Sequence, residues 1–261
     1  MDLFIDAQFL LILLSGIFTA LAASFLGVFV VVKRMALASD VLSHVALPGM
    51  GLALLLNYDP MLGAAVFLVL AALAVWFVEK RTTLPPESII GTFFIATLAI
   101  GVLLVPNEEL LESLFGNLFA VSFSDALLII PLAAIILILT VILSRRLTLS
   151  IVAPDLAESI KAKPDAAYLG FLVLFALNIA LGIKLIGSLL MGALMILPAV
   201  AAKNFSWSMK SFFSISIIFG ALIMAVGILV AKYFEFTPGP SVIITGIAFF
   251  IISLLFTKRQ E

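Results

Sequence analysis

Nine apolar stretches, each about as long as a bilayer core is thick, follow one another along the chain with little between them. They cover approximately residues 8–32, 35–56, 61–78, 87–105, 125–144, 166–183, 185–202, 211–231 and 241–256. Such runs read as transmembrane helices, because a helix satisfies its own backbone hydrogen bonds where no water can. They use most of the 261 residues, so no sizeable soluble domain fits beside them. Composition agrees: 64% of the residues are AVILMFWYC, 11% are charged, and mean hydropathy is +1.35. That is too little polar surface to cover a water-soluble globule. Disorder and nucleic-acid binding are excluded on the same ground. Cysteine is absent, which removes disulfides and thiolate metal sites. The expected fold is all-α: one polytopic transmembrane bundle over residues 1–261, with about nine spans. The N-terminal run has no basic leader and is too long for a signal peptide, so it reads as a retained first span. The sixth and seventh runs form one apolar stretch broken by Gly182 and Lys184, where a hairpin is expected. Eight spans plus a re-entrant segment is the alternative there.

Threading the chain back and forth puts 12 of the 14 basic residues on one side, leaving only Lys184 and Lys232 on the other. The positive-inside rule makes the first side cytoplasmic, with the N-terminus outside and the C-terminus inside. The outer side is acidic, with Asp2, Asp6, Asp59, Glu108, Glu109, Glu112, Asp125 and Glu235. Between residues 107 and 124 the apolar positions Leu110, Leu111, Leu114, Phe115, Leu118 and Phe119 form a helical stripe opposite Glu108, Glu109 and Glu112. This reads as an interfacial amphipathic helix that anchors two spans. Small residues at helix-packing spacing, Gly16, Ala20 and Ser24 in the first span and Ser188 and Gly192 in the seventh, predict close helix contacts.

Two ionisable residues fall inside the second span. His44 is the only histidine, and Asp40 precedes it by one helical turn, on the same face. A carboxylate at that depth costs about 2.5–3.5 kcal/mol on insertion scales, so it marks a functional site by default. Pro48 has no N–H and leaves the His44 carbonyl without its helical donor. A carboxylate, an imidazole and a loosened carbonyl suit Zn²⁺, Mn²⁺ or Fe²⁺. One Asp and one His do not complete a four-ligand site. A second copy across a dimer axis, or Ser43, Asn178, Ser188, Met191 or Met195, is needed to finish it. Pro198 frees the Leu194 carbonyl in the same way and reads as a kink.

Between the fifth and sixth spans, the loop at about 147–165 contains Pro154 and Asp155 as a helix start and Pro164 as a stop, predicting a polar cytoplasmic helix of about ten residues. No G-x-x-x-x-G-K-[ST] occurs, so an ATPase, if one powers the chain, is a separate protein. From these residues alone, a proton- or cation-coupled secondary transporter using the Asp40/His44 pair, or an intramembrane enzyme with that pair as acid and base, stand beside a metal permease.

Four stretches then decide the reading. They are Gly27-Val-Phe-Val-Val-Val-Lys-Arg-Met35 leading into Ser39-Asp40-Val-Leu-Ser-His44-Val-Ala-Leu-Pro48-Gly; Pro154-Asp155-Leu156-Ala157; Gly187-Ser-Leu-Leu-Met-Gly-Ala-Leu-Met-Ile-Leu-Pro198-Ala; and Thr237-Pro238-Gly-Pro240-Ser. Together they resemble the ABC-type zinc/manganese permease family, the membrane subunits of bacterial divalent-metal importers. The resemblance implies a multi-pass protein of the bacterial or archaeal plasma membrane that is not itself an enzyme. It implies a homodimer, with cytoplasmic ATPases that use ATP and an extracytoplasmic metal-binding protein as partners. Asp40 and His44 would lie on the path of the transported zinc, manganese or iron(II), with the Pro48 and Pro198 kinks near it. Asp155, Leu156, Ala157 and Glu158 would form the coupling helix that sits in the ATPase groove. Lys161 stands close to where the family usually has a glycine.

Overall fold

The computed structural model describes residues 7–104, 118–159 and 164–256. Among these residues it is all-helical. The ten α-helices are α1 (Ala7–Val32), α2 (Ala36–Leu55), α3 (Pro60–Arg81), α4 (Pro86–Leu104), α5 (Phe123–Val152), α6 (Pro154–Ser159), α7 (Pro164–Ile186), α8 (Ser188–Lys203), α9 (Met209–Phe234) and α10 (Pro238–Leu254). A 3-10 turn occupies Leu118–Ala120. Five helices (α1, α3, α5, α7 and α9) are long and apolar enough to cross a membrane, and α2, α4, α8 and α10 contain shorter apolar segments.

The helix starts are written in the sequence. Asp59 accepts hydrogen bonds from the Met61 and Leu62 N–H groups at 2.8 and 3.2 Å and caps α3, whose first residue is Pro60. Ser122 and Asp125 form a reciprocal capping box on α5. Pro238 opens α10 directly after Thr237. The turns are less legible. Arg34, Asn57 and Glu235 adopt left-handed φ values of 59°, 58° and 56°, each as a single residue that reverses the chain after a helix. Only Asn57 is of a type that announces such a turn.

Two boundaries differ from expectation. The α7–α8 hairpin turns at Gly187, not at Gly182 or Lys184. Gly187 has φ 85° and ψ 161°, a region essentially confined to glycine. Gly182 remains helical and makes room for the Met191 side chain. Lys184 remains helical because its ammonium pairs with Asp125 of α5 at 2.5 Å. The second difference is α5, which continues past Ser144 to Val152, so residues 147–152 are helix rather than loop. Nothing in Arg145–Val152 breaks a helix, and Pro154 is the first residue that does. At 30 residues α5 is about 45 Å long, well beyond a hydrocarbon core of about 30 Å. The interfacial helix expected over 107–124 lies mostly outside the described residues. Within them, Leu118–Ala120 is a 3-10 turn and Phe123 already belongs to α5.

The most hydropathic windows of α1 and α7 are 61% and 72% buried, against 28% for α3 and for α5, which makes α1 and α7 the inner helices. Stacked aromatics fill the space between them and α9. Phe25 lies on Phe213 at 4.4 Å between centroids, and Phe29 meets Phe171 edge-on at 5.9 Å. The outer helices turn leucine stripes outward, Leu62, Val66, Leu70 and Phe77 on α3 and Leu127, Leu128, Ile135 and Ile142 on α5. Lipid is as apolar as these side chains, so burial alone does not hold such helices together; close backbone approach does. The small-residue stripe of α1 serves that purpose. Gly16 faces Met224 and Ile228 of α9, and Ser216 donates a hydrogen bond to the Ser24 carbonyl at 2.8 Å.

Contacts also sort the helix ends. Lys80 at the end of α3 pairs with Asp165 at the start of α7 at 2.6 Å, and Asn204 after α8 donates to Ser253 near the end of α10 at 2.8 Å. Lys33, Arg34, Lys80, Arg81, Lys203 and α6 therefore gather at one end, the basic end. Asp59, Asp125, Lys184, Lys232 and Glu235 lie toward the other.

Candidate functional site

Asp40 and His44 both lie in α2, one turn apart, and α2 runs unbroken through Pro48. The Asp40 side chain is outside the described set. His44 is half-buried, and its ring stands 5.5 Å from the Phe94 ring of α4. One turn further along, Pro48 is buried against the same helix. A Cβ added at Gly101 of α4 would stand 3.3 Å from the Pro48 ring carbon Cδ. On another side α2 meets α3 at a glycine pair, where Gly49 and Gly63 bring the two backbones into contact. The His44 ring thus adjoins α4, while Gly49 fixes α2 against α3. Sequence reasoning missed Phe94 and Gly101, because one aromatic and one glycine in an apolar run carry no pattern.

The other groups weighed as ligands are placed as follows. Ser43 is fully buried on α2. Met191 and Met195 are fully buried on α8. Met191 packs against Gly182 of α7, and the Met195 carbonyl packs against Gly27 of α1. Both methionines thus also pack toward α7 and α1. The Ser188 side chain is outside the described set. Among the described residues no group of three or more His, Asp or Glu stands together, so they do not close a metal cage around His44. Pro198 is buried within a continuous α8.

Asn178 of α7 is fully buried, and neither amide atom has a hydrogen-bond partner among the described residues. A buried unsatisfied amide costs about 1–3 kcal/mol. Asn178→Leu, which keeps the side chain's heavy-atom count, is therefore expected to raise the thermal unfolding midpoint of the detergent-purified chain. A lower or unchanged midpoint would mean that the amide is satisfied.

At the basic end, α6 is described over Pro154–Ser159, the rest of the expected ten-residue helix lies outside the described residues, and Pro164 is the first described residue of α7. Asp155 is exposed and Leu156 is 53% exposed, whereas Ala157 is fully buried. Ala157 thus supports the helix from beneath. The Glu158 side chain and Lys161 are outside the described set. Among the described residues, Asp155 and Leu156 form a solvent-facing edge just after α5 that is suited to docking another protein.

The pattern of the ABC 3 transport family matches residues 7–257. The chain belongs to that family. It is 34% identical over 257 residues to the high-affinity zinc uptake system membrane protein ZnuB of Haemophilus influenzae, covering 95% of this chain and 97% of that one. The manganese import system permease protein ScaB of Streptococcus parasanguinis is 28% identical, covering 95% of this chain and 90% of that one. Among solved structures, PsaBC from Streptococcus pneumoniae in complex with Fab superimposes with a TM-score of 0.86 at 28% identity, covering 98% of this chain and 94% of that one. The chain is accordingly a permease subunit of an ABC importer, a multi-pass protein of the bacterial plasma membrane and a transport component rather than an enzyme. Family membership sets aside the secondary transporter and the intramembrane enzyme.

Proposed function

We propose that this permease conducts a divalent metal, zinc or manganese, into the cell past Asp40 and His44, driven by ATP hydrolysed on a separate chain. The carrying observation is α6, an exposed short helix at the basic end of a family member that contains no P-loop. Zinc and manganese are favoured because ZnuB and ScaB are named for them. They also match the chemistry of a carboxylate and an imidazole on one helix face. Iron(II) fits the same two ligands.

In this reading the basic end is cytoplasmic, nine helices cross the bilayer, and the N-terminus is outside with the C-terminus inside. Two copies pair so that their α2 helices complete the ligand set that one copy leaves open. An extracytoplasmic binding protein delivers the metal to the opposite end. Asp155 and Leu156 touch the ATPase, while Ala157 packs the helix in place.

The test uses the complete importer in lipid vesicles. Leu156→Asp puts a charge on the exposed edge of α6, at a side chain that is 53% exposed, so the chain itself loses little packing. ATP-driven uptake is expected to fall about tenfold or more, as for loss of an interface anchor. The basal hydrolysis of the ATPase persists. Uptake at the parent rate would overturn the assignment of α6.

A further inference from the structure

In sequence four residues, 160–163, join α6 to α7, which makes the first turn of α7 the next described element along the chain from α6. That turn is gripped from two sides. The Lys33 ammonium, in the turn between α1 and α2, lies 3.3 Å from the centre of the Tyr168 ring. The Tyr168 hydroxyl reaches the Met35 sulfur, at the residue just before α2, at 4.0 Å. Glu79, near the end of α3, faces both Lys33 and Tyr168, and its Oε2 is buried with no hydrogen-bond partner among the described residues. Burial pushes the Lys33 ammonium below the usual lysine range, and the Glu79 carboxylate pulls it back up.

We propose that Lys33, Glu79 and Tyr168 form a clasp that carries the displacement of α6 through the first turn of α7 to the start of α2, and so moves Asp40 and His44 in step with ATP use. The proposal rests on the reading of α6 as the ATPase contact and of α2 as the metal path.

Three features make the clasp a transmitter and not an incidental contact. Its members sit in partly desolvated surroundings, where cation–π and charge contacts are strong and removal of one partner strands the others. The turn beyond it has no slack. Arg34 is left-handed, and the N–H groups of Arg34 and Met35 are tied to the Val31 and Val30 carbonyls at 3.1 and 2.9 Å. A pull on Lys33 or Met35 therefore passes into α2. His44 lies nine residues beyond Met35, about 13 Å along a rigid helix. The neighbouring Lys80–Asp165 pair also bridges α3 and α7, but its side chains are 41% and 68% exposed. Exposed pairs contribute little, so this one is a built-in control.

Metal uptake and ATP hydrolysis are measured on the same vesicles, containing the complete importer, and expressed as metal carried per ATP, with Mn²⁺ or Zn²⁺ as the probe. Lys33→Met and Tyr168→Leu are each expected to lower that ratio about tenfold, the scale of a desolvated cation–π contact, while hydrolysis continues. Lys33→Arg and Tyr168→Phe keep the charge and the ring and stay within about threefold of the parent. Lys80→Met leaves the ratio unchanged. The clasp is wrong if Lys33→Met and Tyr168→Leu keep the parent ratio, if they lose uptake and hydrolysis in proportion, or if Lys80→Met lowers the ratio equally. Should Lys33→Met fail to accumulate, the Tyr168→Leu and Tyr168→Phe pair decides alone. Failure of the underlying reading looks different: there Leu156→Asp or His44→Ala carries metal normally.

Discussion

His44→Ala and Asp40→Asn each reduce ATP-driven metal uptake about a hundredfold or more, with the chain still inserted and assembled. Loss of even an outer-shell partner of a metal ligand commonly costs 10–100-fold, and these two residues are proposed as ligands themselves. Asp40→Asn keeps the shape and removes the charge that offsets a divalent cation in a low-dielectric path. His44→Ala removes the one imidazole in the chain. A site that must also release its ion uses few strong ligands, so each of the two carries a large share of the affinity. The measurements are uptake in vesicles, equilibrium binding of Mn²⁺ to the purified permease, and its thermal midpoint. The His44 ring also touches Phe94, so a purely structural role predicts a lowered midpoint with binding intact in the surviving folded fraction. Wild-type uptake by a normally folded His44→Ala importer would refute the site.

The two residues that carry this prediction were visible in the sequence because they break a rule. Charge and imidazole do not belong in an apolar run, and the i, i+4 spacing needs only helix geometry to put them on one face. The surroundings of the pair were not visible. Phe94 and Gly101 look like any other lipid-compatible residues, and only the packing of α4 on α2 gives them a role. The same contrast runs through the fold. Capped and proline-led starts such as Asp59-Pro60 and Thr237-Pro238 are local chemistry, so they are legible. The α7–α8 break was misplaced because a glycine weakens a helix and a lysine interrupts an apolar run. In the folded chain Gly182 answers to Met191 and Lys184 to Asp125, partners nine and 59 residues away, while the strained backbone falls on Gly187. Ala157 is fully buried while its neighbour Leu156 is exposed, a division within α6 that the four residues of its motif do not announce.

Gly63→Leu is expected to prevent the folded permease from accumulating, whereas Gly91→Ala is expected to be neutral or stabilising. The two glycines look alike in sequence. At Gly63 a Cβ would fall onto the Gly49 carbonyl and within 2.6 Å of the Ala53 Cβ, and at Gly49 it would fall onto the Gly63 carbonyl in return. The obstacles are backbone atoms of two packed helices, not the flexible end of a side chain, so neither helix can yield locally. Overpacking of this kind costs about 1–3 kcal/mol or more, a large share of a marginal stability. Separating α2 from α3 would also shift His44 relative to α4, so any surviving fraction should bind metal poorly. At Gly91 nothing lies within 4 Å of an added Cβ, and the change gains the helix preference of alanine, about 0.5–1 kcal/mol. Yield, thermal midpoint and Mn²⁺ binding of the two purified variants test the contrast. Normal yield and midpoint for Gly63→Leu would show that the α2–α3 contact is looser than its geometry states. The position of α2 would then have to be set by its other neighbours, chiefly α4 and α8.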